Sequence, residues 1–143
     1  MENWTALADG VYGAWQNPAT PYLTPAGQAI EMVNRAARGA TTAEAISVPG
    51  APGLQGGEPG VVGELFMVPG SSGSAVLVNL TPDAAHFPDR GWLTSATPYE
   101  QVTGNPTASE SAAAKPTSGT LGAAGLKLPP YSVTLVGKAA ASS

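Results

Sequence analysis

Turn residues punctuate this chain from end to end, with 18 glycines and 14 prolines filling 32 of its 143 positions. That density stays short of the composition at which low-complexity disorder becomes the default. It leaves little room for long regular elements, so the fold must contain many turns. A chain of this length suits one modest domain with a single core, which buries about two-thirds of the surface exposed by the unfolded chain.

What lies between the turns sorts into one helix and a series of short strands. "LTPAGQAIEMVNRAARG" carries start and stop signals. Thr24 can cap, Pro25 suits the first helical position because its missing N–H would be unpaired there, and Gly39 can take the left-handed conformation that ends a helix. Ala26, Ala29, Ile30, Val33 and Ala37 share one face by three-and-four spacing, with Asn34, Arg35 and Arg38 outside it. The two arginines suit the negative end of the helix dipole. Before the helix, "NWTALADGVYGAWQNPATPY" has no clear period and reads as an ordered loop or a loop with a short strand.

After Gly39 the pattern changes to strands. "EAISVPG" alternates, and Glu64 to Val68 and Ser74 to Leu80 form a hairpin around Pro-Gly-Ser-Ser-Gly. "GWLTSATPYEQVTG" supplies one or two strands, "TLGAAGLKL" a weak one, and "PPYSVTLVGK" the closing strand. In that last segment the prolines delay the sheet until Tyr131, after which Tyr131, Val133 and Leu135 alternate with Ser132, Thr134 and Val136. The expected fold is mainly β, an antiparallel β-sandwich of Greek-key type preceded by an N-terminal loop and one α-helix.

Six basic and ten acidic residues leave a net charge of −4. No basic field exists to hold a phosphate backbone, which excludes nucleic acid as the expected partner. The absence of cysteine rules out a disulfide framework and thiolate metal sites. No apolar run approaches the roughly 20 residues of a membrane helix, so no membrane partner is expected. The N-terminus lacks a basic-then-apolar export signal, which fits a cytosolic chain or a fragment whose signal lies elsewhere.

Three motifs in order resemble the C-terminal part of retaining glycoside hydrolases that join a (β/α)8 barrel to a small β-sandwich, the alpha-L-arabinofuranosidases among them. They are the Thr24-Pro25 helix start, the strand Val76 to Leu80 ending in Asn-Leu, and the terminus Leu128 to Leu135. The resemblance implies that residues 1–39 are the last loop and helix of the barrel, 40–138 the sandwich, and 139–143 a frayed tail. A whole barrel needs about 250 residues, so the catalytic barrel would be a partner outside this chain. A secreted or extracellular location is implied as well. In this family a strand or two of the sandwich can precede the barrel, which would leave an open sheet edge here.

The chemistry of retaining glycosidases needs two carboxylates about 5 Å apart, in this family with Asn before the acid/base Glu. No Asn-Glu pair occurs. Glu31, Glu44, Glu58, Glu64, Asp83, Asp89, Glu100 and Glu110 read as solvated surface charge, and this chain alone is expected to catalyse nothing. His86, the single histidine, lies in "PDAAHFPDR" without a serine elbow or metal-ligand set around it, and reads as a loop histidine. "GSSGS" has no following Lys or helix and reads as a hairpin turn rather than a phosphate loop. No cofactor or metal is expected.

Aromatic residues are the remaining candidates, because sugar rings stack on Trp and Tyr. Trp4, Tyr12, Trp15 and Tyr22 suit a buried interface. The resemblance also implies a cleft-rim role for Trp15, with Gln16 and Asn17 offering amides beside it. Trp92 and Tyr99 could form the platform of a stand-alone carbohydrate-binding or adhesion module that takes a polysaccharide. Asn3-Trp-Thr and Asn79-Leu-Thr fit the glycan acceptor pattern, although a glycan on a strand end such as Asn79 is awkward.

Overall fold

A computed structural model describes residues 22–71, 73–88, 97–104 and 115–137, together with the backbone of 15–16. The chain is mainly β. A short ribbon of β1 (Trp15–Gln16) and β2 (Tyr22–Leu23) leads into helix α1 (Pro25–Ala37). Next come β3 (Thr42–Ser47), β4 (Val61–Met67), β5 (Ser74–Asn79) and β6 (Ala85–Phe87). β7 (Pro98–Thr103), β8 (Thr117–Thr120), β9 (Leu126–Leu128) and β10 (Ser132–Val136) complete the order.

Six of these strands form one antiparallel sheet in the order β3-β4-β5-β10-β7-β8. The last strand is therefore central: it slots between β5 and β7 rather than extending an edge. α1 packs on one face of this sheet, where Met32 and Ala36 meet Phe66, Val76, Val102 and Leu135. The opposite face carries the two-stranded ribbon β6-β9, whose Ala85, Phe87, Leu126 and Leu128 pack with Val61, Leu77 and Val136. Among the described residues the second β layer is this ribbon rather than a second sheet of comparable size. Because both faces are covered, Ser74 to Leu77 are all buried, which explains why β5 reads as a continuous run and not as an alternation.

The helix forms where its end signals place it. Thr24 Oγ1 accepts from the Gly27 N–H at 3.2 Å, Pro25 opens the first turn, and Gly39 takes φ +77° after the last one. Its buried face, however, differs from the face expected from apolar spacing. Met32, Arg35 and Ala36 point inward, while Ala26 and Val33 are exposed and Ile30 is only half-buried. On that face Met32 and Ala36 enter the apolar cluster while Arg35 reaches a partner on the sheet, Glu100.

Two other expectations change. The His86 segment is a strand, β6, and not a loop; at three residues it is too short to show a period. Tyr131 stands outside β10 in the left-handed region at φ 48°. The order Pro130 then a left-handed residue is that of a type II turn, and Ser132 Oγ closes it by donating to the Pro129 carbonyl at 2.7 Å.

Candidate functional site

Two polar centres stand out among the described residues. The first sits between α1 and β7. Arg35 Nη1 donates to Glu100 Oε2 at 3.1 Å and its Nη2 to Glu31 Oε2 at 2.9 Å. Gln28 Nε2 bridges the same carboxylates, reaching Glu31 Oε2 at 3.2 Å and Glu100 Oε1 at 3.0 Å. Gln28, Glu31 and Arg35 come together because spacings of three and four residues align on a helix.

Glu100 corrects the expectation of solvated charge: it is 9% exposed, and Arg35 is 8% exposed. Burial by itself lowers the Arg35 pKa. Its hydrogen bond and charge pairing with Glu100, with those to Glu31, outweigh that and hold the pKa above the ordinary arginine range. Both oxygens of Glu100 accept hydrogen bonds from helix side chains, Oε1 from Gln28 and Oε2 from Arg35. The arrangement clamps helix to sheet and does not present the free nucleophile and acid that glycoside hydrolysis needs.

The second centre is Asn79, the Asn of the Asn-Leu strand end, which is 1% exposed. Its Nδ2 donates to the carbonyls of Asp83 at 2.8 Å, Leu128 at 3.2 Å and Pro129 at 2.9 Å. Its Oδ1 accepts from the Thr81 N–H at 3.0 Å and from Thr81 Oγ1 at 2.8 Å. The amide nitrogen is thus fully engaged, and the Asn79-Leu-Thr pattern is no glycan acceptor in the folded chain. Two of the three motifs that carry the glycosidase resemblance meet at this side chain.

The expected binding residues fall in different places. Trp15 and Gln16 lie on β1, opposite Leu23 and Tyr22, one ribbon away from the helix cap. Asn17 and Trp92 lie outside the described residues. Tyr99 is half-buried on β7 and packs against the ribbon-side core. Its ring lies across Gly119 of β8, with the hydroxyl 2.7 Å from where a β-carbon at 119 would stand. His86 is exposed and faces Lys127 across the ribbon. Among the described residues no group of three or more His, Cys, Asp or Glu could hold a metal ion, and no helix is long and apolar enough to cross a membrane.

Sequence reasoning missed both polar centres. The Glu31–Arg35 spacing announces a helical ion pair, but nothing local announces Glu100, 65 residues further on. For Asn79 a signal was present: Asn with Thr two positions later is the pattern of a side-chain-closed turn. No protein-family model matches this chain, and no curated protein matches it.

Proposed function

We propose that this chain is the non-catalytic C-terminal β-sandwich region of a glycoside hydrolase, supporting a catalytic barrel and lending the loop around Trp15 to a carbohydrate cleft. The observation that carries this reading is apolar surface left open on the helix side of the sheet. Val33 on α1 is 40% exposed, Val62 41% and Leu80 45%. Val62 stands opposite Val78, which packs into the helix-side cluster, so this surface belongs to the same side as α1. A helix with one face on its own sheet and a second apolar side turned outward suits a position between two domains. The barrel is the occupant that the Thr24-Pro25 helix start implies.

The absence of a free carboxylate pair in the Arg35 clamp fits an accessory role. The decisive experiment is to read the DNA upstream of the Met1 codon, where an in-frame barrel with two strand-end glutamates is expected. A second arm assays the purified chain on nitrophenyl arabinofuranoside and glucoside. Turnover by the isolated chain, or an upstream frame without a barrel, overturns the reading.

A further inference from the structure

The chain has three methionines and no cysteine, so all of its sulfur is thioether. Met1 lies outside the described residues, and the other two differ in setting. Met32 is 0% exposed, enclosed between α1 and the sheet, whereas Met67, the last residue of β4, is 38% exposed. An oxidant in solution therefore reaches Met67 in the folded chain, and reaches Met32 when the fold opens around it.

What Met67 touches gives its sulfur a structural role. The β4-β5 register pairs Phe66 with Ser74, so the next position out sets Met67 against Gly73. Gly73 is buried, and a β-carbon built on it would stand 2.8 Å from Met67 Sδ and from the Phe66 carbonyl oxygen, and 3.2 Å from Leu65 Cδ1. The thioether lies in the notch that the missing side chain opens, and so acts as the cross-strand contact that closes this end of the pair. The Met67 backbone is held too: its carbonyl accepts from the Thr41 N–H at 3.0 Å, at the entry to β3.

We propose that Met67 is a reversible oxidation site for hydroperoxides, at which sulfoxide formation unlocks the end of the β4-β5 pair. A lone pair on Sδ attacks the distal peroxide oxygen. The O–O bond breaks as the S–O bond forms, and the proton on the transferred oxygen passes to the departing hydroxide, which leaves as water when the oxidant is hydrogen peroxide. Sulfur loses two electrons and the peroxide gains them. The sulfoxide is polar, and its oxygen needs donors that Leu65 and the Gly73 α-carbon do not offer, so the side chain turns out of the notch to water. Methionine sulfoxide reductases reverse the step. Two thiols supply two electrons and two protons, the oxygen leaves as water, and the thiols join as a disulfide. This inference is independent of the proposed glycosidase role.

The test is a time course of the full chain in dilute hydrogen peroxide, read by peptide mass mapping. Met67 should gain one oxygen at least about tenfold faster than Met32. The protein oxidised at Met67 should melt about 2–4 °C below the parent, and reductases for both sulfoxide epimers, supplied with dithiothreitol, should restore mass and melting point together. Met67→Leu, a volume-conserving exchange, should fold as the parent does and keep its melting point through the same peroxide exposure. Comparable oxidation rates at Met32 and Met67, an oxidised parent that melts unchanged, or a Met67→Leu variant whose melting point falls in peroxide as far as the parent's each overturns the proposal.

Discussion

The side-chain amide of Asn79 donates to the carbonyl oxygen of Pro129 at 2.9 Å, tying the end of β5 to the corner through which the last strand enters. The same amide holds the carbonyls of Leu128 and Asp83. β10 occupies the middle of the sheet, so this corner positions the strand on which both β5 and β7 depend.

Replacing Asn79 should therefore cost more than a single hydrogen bond. Asn79→Ala removes a donor from three carbonyls and the acceptor of the Thr81 N–H; the Pro129 carbonyl keeps Ser132 Oγ and the Asp83 carbonyl keeps Thr81 Oγ1, and each buried group left unsatisfied costs about 1–3 kcal/mol. A net loss of about 3 kcal/mol is expected from urea denaturation midpoints. Asn79→Asp should be worse than Asn79→Ala at neutral pH, because it keeps the acceptor for Thr81 but sets a carboxylate against three carbonyl oxygens. A variant within about 0.5 kcal/mol of the parent would contradict this account.

The Arg35–Glu100 pair predicts a different pattern. Removing one partner leaves a buried charge uncompensated, so Arg35→Ala and Glu100→Ala should each destabilise by about 3–5 kcal/mol. The double variant Arg35→Met with Glu100→Leu should recover most of that loss, and a double-mutant cycle measures the coupling. Glu31 forms the outer arm, with its side chain 37% exposed. Glu31→Ala should cost under about 1 kcal/mol, and added salt should weaken that arm more than the inner one.

Gly60 and Gly122 provide a matched pair. A β-carbon at Gly60 would overlap the Pro52 carbonyl oxygen and the Thr81 γ-methyl group, whereas one at Gly122 meets nothing within 4 Å. Gly60→Ala should cost about 1–3 kcal/mol through forced backbone shifts. Gly122→Ala should be neutral or gain up to about 1 kcal/mol by restricting the unfolded chain. Thermal melts of the two variants separate the effects, and equal losses would mean that close packing at Gly60 is not the cause.

Local signals carried the elements but not their orientation. Thr24, Pro25 and Gly39 announced the helix ends because capping is decided within a few residues. The side of the helix that lies down meets partners distant in sequence, Phe66, Val76, Val102 and Leu135 against Met32 and Ala36 and Glu100 against Arg35, and Val33 faces outward where spacing alone turned it in. Strands β4, β5 and β10 were legible from their apolar, β-branched runs. β9 (Leu126–Leu128) falls at the end of the weak strand legible in "TLGAAGLKL", whereas β6, also three residues, reads as a loop in the sequence, since its pairing depends on the core it covers.

Tyr131 gives the last prediction. At φ 48° it is the one non-glycine residue with positive φ among the described residues. Its N–H donates to the Thr81 carbonyl at 3.2 Å and its carbonyl accepts from the Gly104 N–H at 3.1 Å, so the unusual backbone is held from both sides. A left-handed conformation costs an L-residue about 1–2 kcal/mol, and glycine escapes this at the cost of about 0.5–1 kcal/mol in unfolded-chain entropy. Tyr131→Gly should therefore lie within about 1 kcal/mol of the parent on the stabilising side, and Tyr131→Asn close to it. Tyr131→Val should lose at least about 2 kcal/mol, because a branched β-carbon tolerates this region least. Chemical denaturation of the three variants fixes the ranking. If Val were tolerated as well as Gly, the turn would not be what holds the residue left-handed, and the Pro129-Pro130 corner would have to direct β10 by proline stiffness alone.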